Sequence, residues 1–131
     1  MTRTQSRQVA VQILYQVEVG HASPEQACAD YWVSLAEKDH DVFADALVHG
    51  VLASAAEIDA RIVALSANWR LERLFKINLV ILRLGLYELL FTSTDKAVVI
   101  DEAVELAKYY GADSGFINGI LDKVLTGKEK T

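Results

Sequence analysis

The sequence contains few of the residues that end helices or cross-link chains. Among its 131 residues are one proline, seven glycines and one cysteine. Such scarcity leaves little room for long loops or for the many turns of a β-protein, which favours helices joined by short connections. The single thiol, Cys28, cannot form a disulfide within the chain. We therefore expect Cys28 to be a small core residue, and the protein to act in a reducing, cytoplasmic compartment.

Positive charge is also scarce, and its distribution is uneven. The formal net charge is −5, with four Lys/Arg against nine Asp/Glu in residues 1–68 and nine of each in residues 69–131. Such a chain is not a general polyanion binder, so any nucleic-acid site must be local and small. The first ten residues are polar, and no apolar stretch typical of a signal peptide follows them.

Patterns that carry catalysis or metal binding are missing as well. There is no Gly-rich phosphate loop and no G-x-S-x-G elbow, and the three histidines are scattered without ligand spacing. Glu102 and Glu105 stand three apart, as on an ordinary solvated helix face. The sequence thus predicts neither an enzyme nor a cofactor nor a metal site.

The most apolar stretch is INLVILRLGLYELLF, residues 77–91. It is shorter than the ~20 apolar residues of a membrane span and includes Arg83 and Glu88, so it predicts a helix buried in a core. Its leucine content and length argue against a buried strand. Both charged side chains must then be paired, hydrogen-bonded or at the rim of the core.

Periodicity and capping residues predict an all-α fold of about seven helices in two small packed bundles. The apolar periodicity is interrupted at residues 66–69, which divides the chain into subdomains 1–68 and 69–131. We expect Gly20 and Gly111 to end helices, and Ser23 and either Asp113 or Ser114 to begin them. The apolar stripe from residue 42 to residue 65 predicts one long helix of ~25 residues, loosened at Gly50. The predicted helices span residues 3–20, 24–37, 41–65, 70–76, 77–91, 98–110 and 114–125.

Arg3 and Arg7 are four residues apart and share one face of the first predicted helix. Together with the α-amino group they form a small positive spot on an acidic half of the chain. The alternative interpretation is two solvated arginines with no partner.

Four segments resemble the NusB family of transcription antitermination factors. IDEAVELAKYYG (residues 100–111) followed by FINGILDKV (residues 116–124) is similar to the C-terminal pattern of that family. ILRLGLYELL (residues 81–90) resembles its central helix, and RQVAVQILYQVE (residues 7–18) its first helix. The resemblance covers about residues 7–125. It implies an all-helical fold of two small bundles, processive antitermination on ribosomal RNA operons, and neither catalysis nor a cofactor.

The resemblance also implies partners and an RNA site. NusB proteins bind boxA RNA together with NusE, a small-subunit ribosomal protein, and the complex joins NusA, NusG and RNA polymerase. Cations on phosphates and aromatic faces under bases hold single-stranded RNA. The resemblance therefore predicts that five residues bind RNA: Arg3, Arg7, Tyr15, Phe116 and Asn118. For the two aromatic residues, packing in the core is the alternative role.

For the NusE surface, the resemblance points to Glu72, Tyr87 and Glu88, on or next to the central helix. An acidic, aromatic surface suits a basic ribosomal protein. An internal pair between Glu88 and Arg83 is the alternative for that carboxylate.

This sequence also departs from the family pattern. The N-terminal basic run is reduced to two arginines. The family has a basic residue directly before its FVNG turn, and Gly115 stands at that position, before the FVNG-like turn FING (residues 116–119) of this chain. Fewer cations release fewer counterions, so we expect weak binding of boxA RNA that depends on NusE. Two alternatives remain open: a protein-only adaptor or homodimer with weakened RNA binding, and an RNA-targeting module like that of rRNA cytosine methyltransferases. The chain stops at Thr131 with no glycine-rich cofactor motif, so a standalone factor is expected.

Overall fold

The computed structural model describes residues 1–34, 41–66 and 74–126, and these form seven α-helices without a strand. The predicted all-α fold of about seven helices is confirmed. The helices are α1 (Arg3–Gly20), α2 (Pro24–Ser34), α3 (Val42–Ala53), α4 (Ala55–Ser66), α5 (Lys76–Phe91), α6 (Lys96–Tyr110) and α7 (Ser114–Thr126).

The most apolar stretch forms α5, which packs against α1, α3, α4, α6 and α7. Ten of its sixteen residues are buried, and seven of the ten belong to one hydrophobic cluster that includes residues from each of the other helices. The prediction of a buried central helix is confirmed, and within the described ranges no helix is long and apolar enough to cross a bilayer. Helices from both sides of residue 68 contribute to this one core, so the core does not mark a division of the chain. The division into two subdomains therefore stays a prediction. Of the break predicted at residues 66–69, residues 67–69 lie outside the described part of the chain, as do residues 70–73 of the predicted helix 70–76.

Several predicted helix ends are present. The Ser23 hydroxyl accepts the backbone N–H of Gln26, and the Asp113 carboxylate accepts that of Phe116. Gly111 ends α6 in the left-handed conformation, with φ of 69°. At the end of α1, however, His21 adopts the left-handed conformation, with φ of 56°, instead of the predicted Gly20.

The prediction of one long helix from residue 42 to residue 65 is wrong, because the chain bends at Ser54 and forms α3 and α4. The Ser54 N–H bonds to the carbonyls of Gly50 and Leu52, which tightens the last turn of α3. Both helices pack against α5, so the apolar stripe continues through the bend, and periodicity cannot reveal it. Gly50, the predicted weak point, lies inside α3.

Candidate RNA- and protein-binding surface

The two arginines of the predicted positive spot have different environments. Arg7 is only 3% exposed and forms a bidentate ion pair with Glu88, itself 2% exposed. Arg7 Nε and Nη2 each donate to a carboxylate oxygen of Glu88 at 2.8 Å. The interpretation of Arg7 as a surface cation is therefore wrong. Glu88 pairs with Arg7 and not with Arg83, so this carboxylate is also unavailable as a free surface charge.

A second carboxylate completes the environment of Arg7. Glu102 lies 3.6 Å from Arg7 Nη1 and accepts a 2.8 Å hydrogen bond from the Thr4 hydroxyl. The hydrogen bond to Glu88 raises the pKa of Arg7 further above its usual value, so the guanidinium stays charged. These contacts join α1 to α5 and α6, which makes Arg7 a residue that positions the first helix.

Arg3 remains at the surface. Its guanidinium carbon lies 3.9 Å from the centre of the Phe43 ring, a cation–π distance that joins the start of α1 to α3. Burial alone would raise the pKa of nearby Asp41, but a hydrogen bond from Ser6 and positive charges that include Arg3 lower it overall. Arg3 therefore supplies one exposed cation beside a carboxylate.

Tyr15 and Phe116 line one cleft of about 650 Å³, which we call the aromatic cleft. It lies where the middle of α1, the start of α5 and the α6–α7 turn meet. Tyr15 is 39% exposed and Phe116 is partly buried, so both rings combine a packed side with an accessible one. The complete lining is Tyr15, Leu74, Phe75, Lys76, Ile77, Asn78, Gly111, Ala112, Asp113 and Phe116.

A chain of hydrogen bonds fixes the far wall of the aromatic cleft. The Oδ1 atom of buried Asn78, in the first turn of α5, accepts the backbone N–H of Asp113 at 2.9 Å. Asp113 in turn caps α7 by accepting the N–H of Phe116 at 3.0 Å. Phe116 is therefore held against the start of α5 by hydrogen bonds within the protein.

Sequence reasoning missed two residues at the edge of this cleft. Phe75 is 79% exposed and occupies the N-cap position of α5, where no side chain caps the helix. Lys76 follows it, with a side chain that is 43% exposed and an Nζ atom 3.4 Å from Glu18 Oε2. In the sequence, an aromatic residue and a lysine directly before the predicted central helix could have indicated both positions.

A second groove of about 460 Å³ continues the surface along α1 and shares Tyr15 and Ile77 with the aromatic cleft. Tyr110 forms its far side, where the hydroxyl accepts from Gln12 Nε2 and donates to the Gln8 carbonyl. The combined surface offers aromatic faces with amide and phenol groups beside them. Such groups suit unpaired bases better than they suit a helical duplex.

Asn118 lies apart from Phe116. It is exposed and lines a different depression, whose walls include Asp101, Glu105 and Lys108. Residues two apart on a helix point in different directions, which separates the two predicted members of the FVNG-like turn. The neighbouring carboxylates disfavour a phosphate at Asn118.

One member of the predicted NusE surface, Tyr87, is half-buried on α5. Its ring stacks on that of Phe91 with centroids 5.8 Å apart, and it packs closely over Gly50 of α3. Glu88 is buried with Arg7, and Glu72 lies outside the described residues. The candidate protein-binding surface on α5 therefore consists of Tyr87 and Phe91.

The second charged residue of α5, Arg83, has two carboxylate partners. Its Nε and Nη2 atoms donate to Asp59 at 2.8 and 2.9 Å, and its Nη1 atom donates to Glu18. Burial alone would lower the pKa of Arg83, but these hydrogen bonds raise it overall. The hydrogen bond from Arg83 lowers the pKa of Glu18. Arg83 thus ties α5 to both α1 and α4.

The lowered pKa of Glu18 predicts how stability changes with pH. A carboxylate whose folded pKa is depressed stabilises the fold above its usual pKa of about 4.3, and this contribution disappears as the pH falls through the folded value. We expect Glu18→Gln to lower the free energy of unfolding by about 1 kcal/mol at neutral pH. The difference from the wild type should shrink as the pH falls through the lowered folded pKa of Glu18, because the protonated side chain is uncharged like that of glutamine.

Urea unfolding of both proteins at neutral and acidic pH measures this difference. Glu57→Gln, at an exposed position in the first turn of α4, is the control and should have little effect at either pH. A loss that is equally large in acid would show that the ion pair does not supply the stability.

Groups suited to metal binding or nucleophilic chemistry are not assembled in the described residues. No set of three His, Cys, Asp or Glu side chains there could hold a metal ion. Cys28 is buried, and burial followed by the nearby Asp45 raises the pKa of its thiol to about 11. A thiol in this environment stays protonated at neutral pH and is a poor nucleophile.

The fold and the surface together define an all-helical binding protein with an aromatic cleft. The family model described as the NusB family matches residues 4–126. The transcription antitermination protein NusB of Macrococcus caseolyticus is 43% identical over 98% of this chain and 99% of that protein, and the one of Anaeromyxobacter dehalogenans (strain 2CP-1) is 42% identical over 95% and 91%. A crystal structure of the antitermination factors NusB and NusE in complex with dsRNA superposes with a TM-score of 0.82 at 27% identity, covering 97% of this chain and 99% of that one. The chain belongs to the NusB family, as the resemblance predicted.

Proposed function

We propose that this protein is a transcription antitermination factor that binds boxA RNA of ribosomal RNA operons together with NusE. In this proposal the complex joins NusA, NusG and RNA polymerase in the cytoplasm, and the protein performs no catalysis. The observation that carries the proposal is the aromatic cleft, in which Tyr15 and Phe116 come together from opposite ends of the sequence. Relatives named as antitermination proteins, matched over nearly their whole length, favour this function over that of a methyltransferase module.

Stacking in the aromatic cleft is proposed to dominate the RNA contact. Arg7 is buried against Glu88, so the predicted arginine pair contributes only Arg3 as an exposed cation. Each phosphate that is neutralised adds about −0.7 to the slope of log K against log salt for single strands, and each base on an aromatic ring contributes roughly 1–3 kcal/mol. We therefore expect a shallow salt dependence and a strong dependence on the aromatic rings.

Titration of labelled boxA RNA tests this proposal, with and without NusE. Tyr15→Ala and Phe116→Ala should each raise the Kd about tenfold, because each removes one stacking surface. Tyr109→Ala is the matched control, since this tyrosine is 64% exposed on α6 and lines a different groove. Wild-type protein that binds no boxA RNA even with saturating NusE would contradict the proposal.

The burial of Arg7 also favours a second candidate function, that of a protein adaptor or homodimer in which NusE alone contacts the RNA. Arg3→Glu separates the two candidates, because Arg3 is exposed and its replacement leaves the buried ion pair intact. Weaker RNA binding with unchanged NusE binding supports direct contact. If Arg3→Glu and both cleft variants leave RNA binding by the complex unchanged, the adaptor is the correct description.

A further inference from the structure

Phe75 occupies a position that neither helix formation nor core packing explains. It is the N-cap residue of α5, where Ser, Thr, Asp or Asn would accept a backbone N–H, and no side chain caps this helix. With 79% of its surface exposed, it is more exposed than Tyr109, Phe91 and Tyr15, at 64%, 42% and 39%. A single exposed apolar side chain is ordinary, but Phe75 lines a cleft together with two other aromatic rings, and a cluster of this kind is a candidate for contact with another molecule.

The surroundings of Phe75 indicate what that molecule is. Phe75 forms one edge of the aromatic cleft, so a third ring stands beside Tyr15 and Phe116. Lys76, the next residue, is exposed and carries a positive charge at this edge, where its Nζ atom lies 3.4 Å from Glu18 Oε2. A row of aromatic faces with an adjacent cation is the arrangement by which proteins hold single-stranded nucleic acid.

We propose that Phe75 is a base-stacking residue that extends the RNA-binding surface beyond the aromatic cleft, with Lys76 beside the phosphate of the stacked nucleotide. The ligand is an unpaired base of single-stranded RNA. This inference rests on the proposed function and adds a subsite to it. Residue 75 gives the chain a contact that compensates for the arginine buried at residue 7.

A protein partner is the competing occupant, and the local charge distinguishes the two. The partner of the proposed function is a basic ribosomal protein, which suits carboxylates and not a lysine next to the contact aromatic. Asp113, the carboxylate that lines the same cleft, is occupied in capping α7. Glu18, the carboxylate nearest to Lys76, is also bonded to Arg83. Both carboxylates near the Phe75 edge are thus engaged in contacts of their own while Lys76 is exposed, which favours a phosphate over a basic protein.

Fluorescence anisotropy with labelled single-stranded boxA RNA tests the inference on the full chain, alone at low salt and with saturating NusE. Phe75→Ala should raise the Kd about tenfold, since it removes one stacking surface. Phe75→Trp should bind at least as well as the wild type, whereas Phe75→Leu, apolar but without a π face, should resemble Phe75→Ala. Tyr109→Ala is the control, because this tyrosine is 64% exposed on α6 and lines a different groove.

Stability provides an independent readout. Phe75→Ser supplies the missing N-cap oxygen, so we expect it to raise the Tm by a few degrees while it weakens RNA binding. A residue with only a structural role would lower the Tm when replaced. Lys76→Met should reduce the slope of log K against log salt by about 0.7, the value for one phosphate contact with a single strand.

Each outcome has a distinct meaning. If the wild type binds boxA RNA and Phe75→Ala binds it equally well, the inference is overturned while the proposed function stands. Retained binding by Phe75→Leu, or a loss of NusE binding with unchanged RNA affinity in Phe75→Ala, would instead identify an apolar protein contact and also overturn it. A wild type that binds no RNA under either condition overturns both proposals.

Discussion

Arg7→Ala is expected to lower the free energy of unfolding by about 3–5 kcal/mol, because it leaves Glu88 charged and buried without its partner. The two side chains are 3% and 2% exposed, and two hydrogen bonds of 2.8 Å join them. Glu102, 3.6 Å from the same guanidinium, would also lose this neighbouring positive charge. A loss of this size is a large fraction of the stability of a small domain.

Chemical denaturation of Arg7→Ala and Arg3→Ala measures the effect. Arg3 is exposed and contacts Phe43 through a cation–π interaction, so its removal should cost no more than about 1 kcal/mol. Similar small losses for both variants would show that Arg7 is solvated and that the predicted surface pair is correct after all. Binding assays on Arg7 variants need a check of folding first, since unfolded protein also loses RNA.

Gly50→Val is expected to lower the free energy of unfolding by about 3 kcal/mol, because a side chain at this position overlaps the ring of Tyr87. The first atom to meet the ring would be the Cβ itself, so a change of side-chain rotamer at residue 50 cannot avoid it. Displacing the ring would also disturb its stacking on Phe91 and thus the candidate NusE surface. We expect weaker NusE binding to accompany the loss of stability.

Gly119→Val is the matched control, because nothing lies within 4 Å of a Cβ placed there on α7. Its effect should stay below about 1 kcal/mol, the range of helix propensity. In a Tyr87→Ala background the cost of Gly50→Val should fall by more than about 1 kcal/mol, the size of coupling expected between residues in contact. Additive losses in the double variant would contradict the proposed contact.

The helices could be predicted from the sequence because their signals are local. The long apolar stretch of α5 indicated a buried helix, and Ser23 and Gly111 marked helix ends through capping chemistry. The bend at Ser54 could not be predicted, since the apolar stripe continues on both sides of it. The left-handed conformation of His21 was missed for a different reason: glycine is the usual residue there, and Gly20 precedes it.

The ion pairs could not be predicted, because their partners are distant in sequence. Arg7 and Glu88 are 81 residues apart, and Arg83 and Glu18 are 65 apart. The rule that buried charges need partners correctly required a partner for Glu88 and Arg83, but it cannot select which cation meets which carboxylate. The spacing of Arg3 and Arg7 suggested that both arginines lie in one positive spot on the surface. In the structure Arg3 is at the surface and Arg7 is buried.

The candidate site could be predicted only in part. Tyr15 and Phe116 were identified through the family resemblance, and the structure brings them to one cleft. The same resemblance grouped Asn118 with Phe116, although the helix turns them to different surfaces. Phe75 was missed because an aromatic residue at an N-cap fits no rule for helix ends.

The most direct test of this account is NMR mapping of backbone amides during titration with boxA RNA in the presence of NusE, compared with the same complex without RNA. The account predicts that the largest RNA-dependent shifts cluster around the aromatic cleft, at Tyr15, Phe75, Ile77 and Phe116, with small shifts at Asn118. Large shifts confined to Asn118 and the neighbouring acidic residues of α6, with the cleft unchanged, would contradict it.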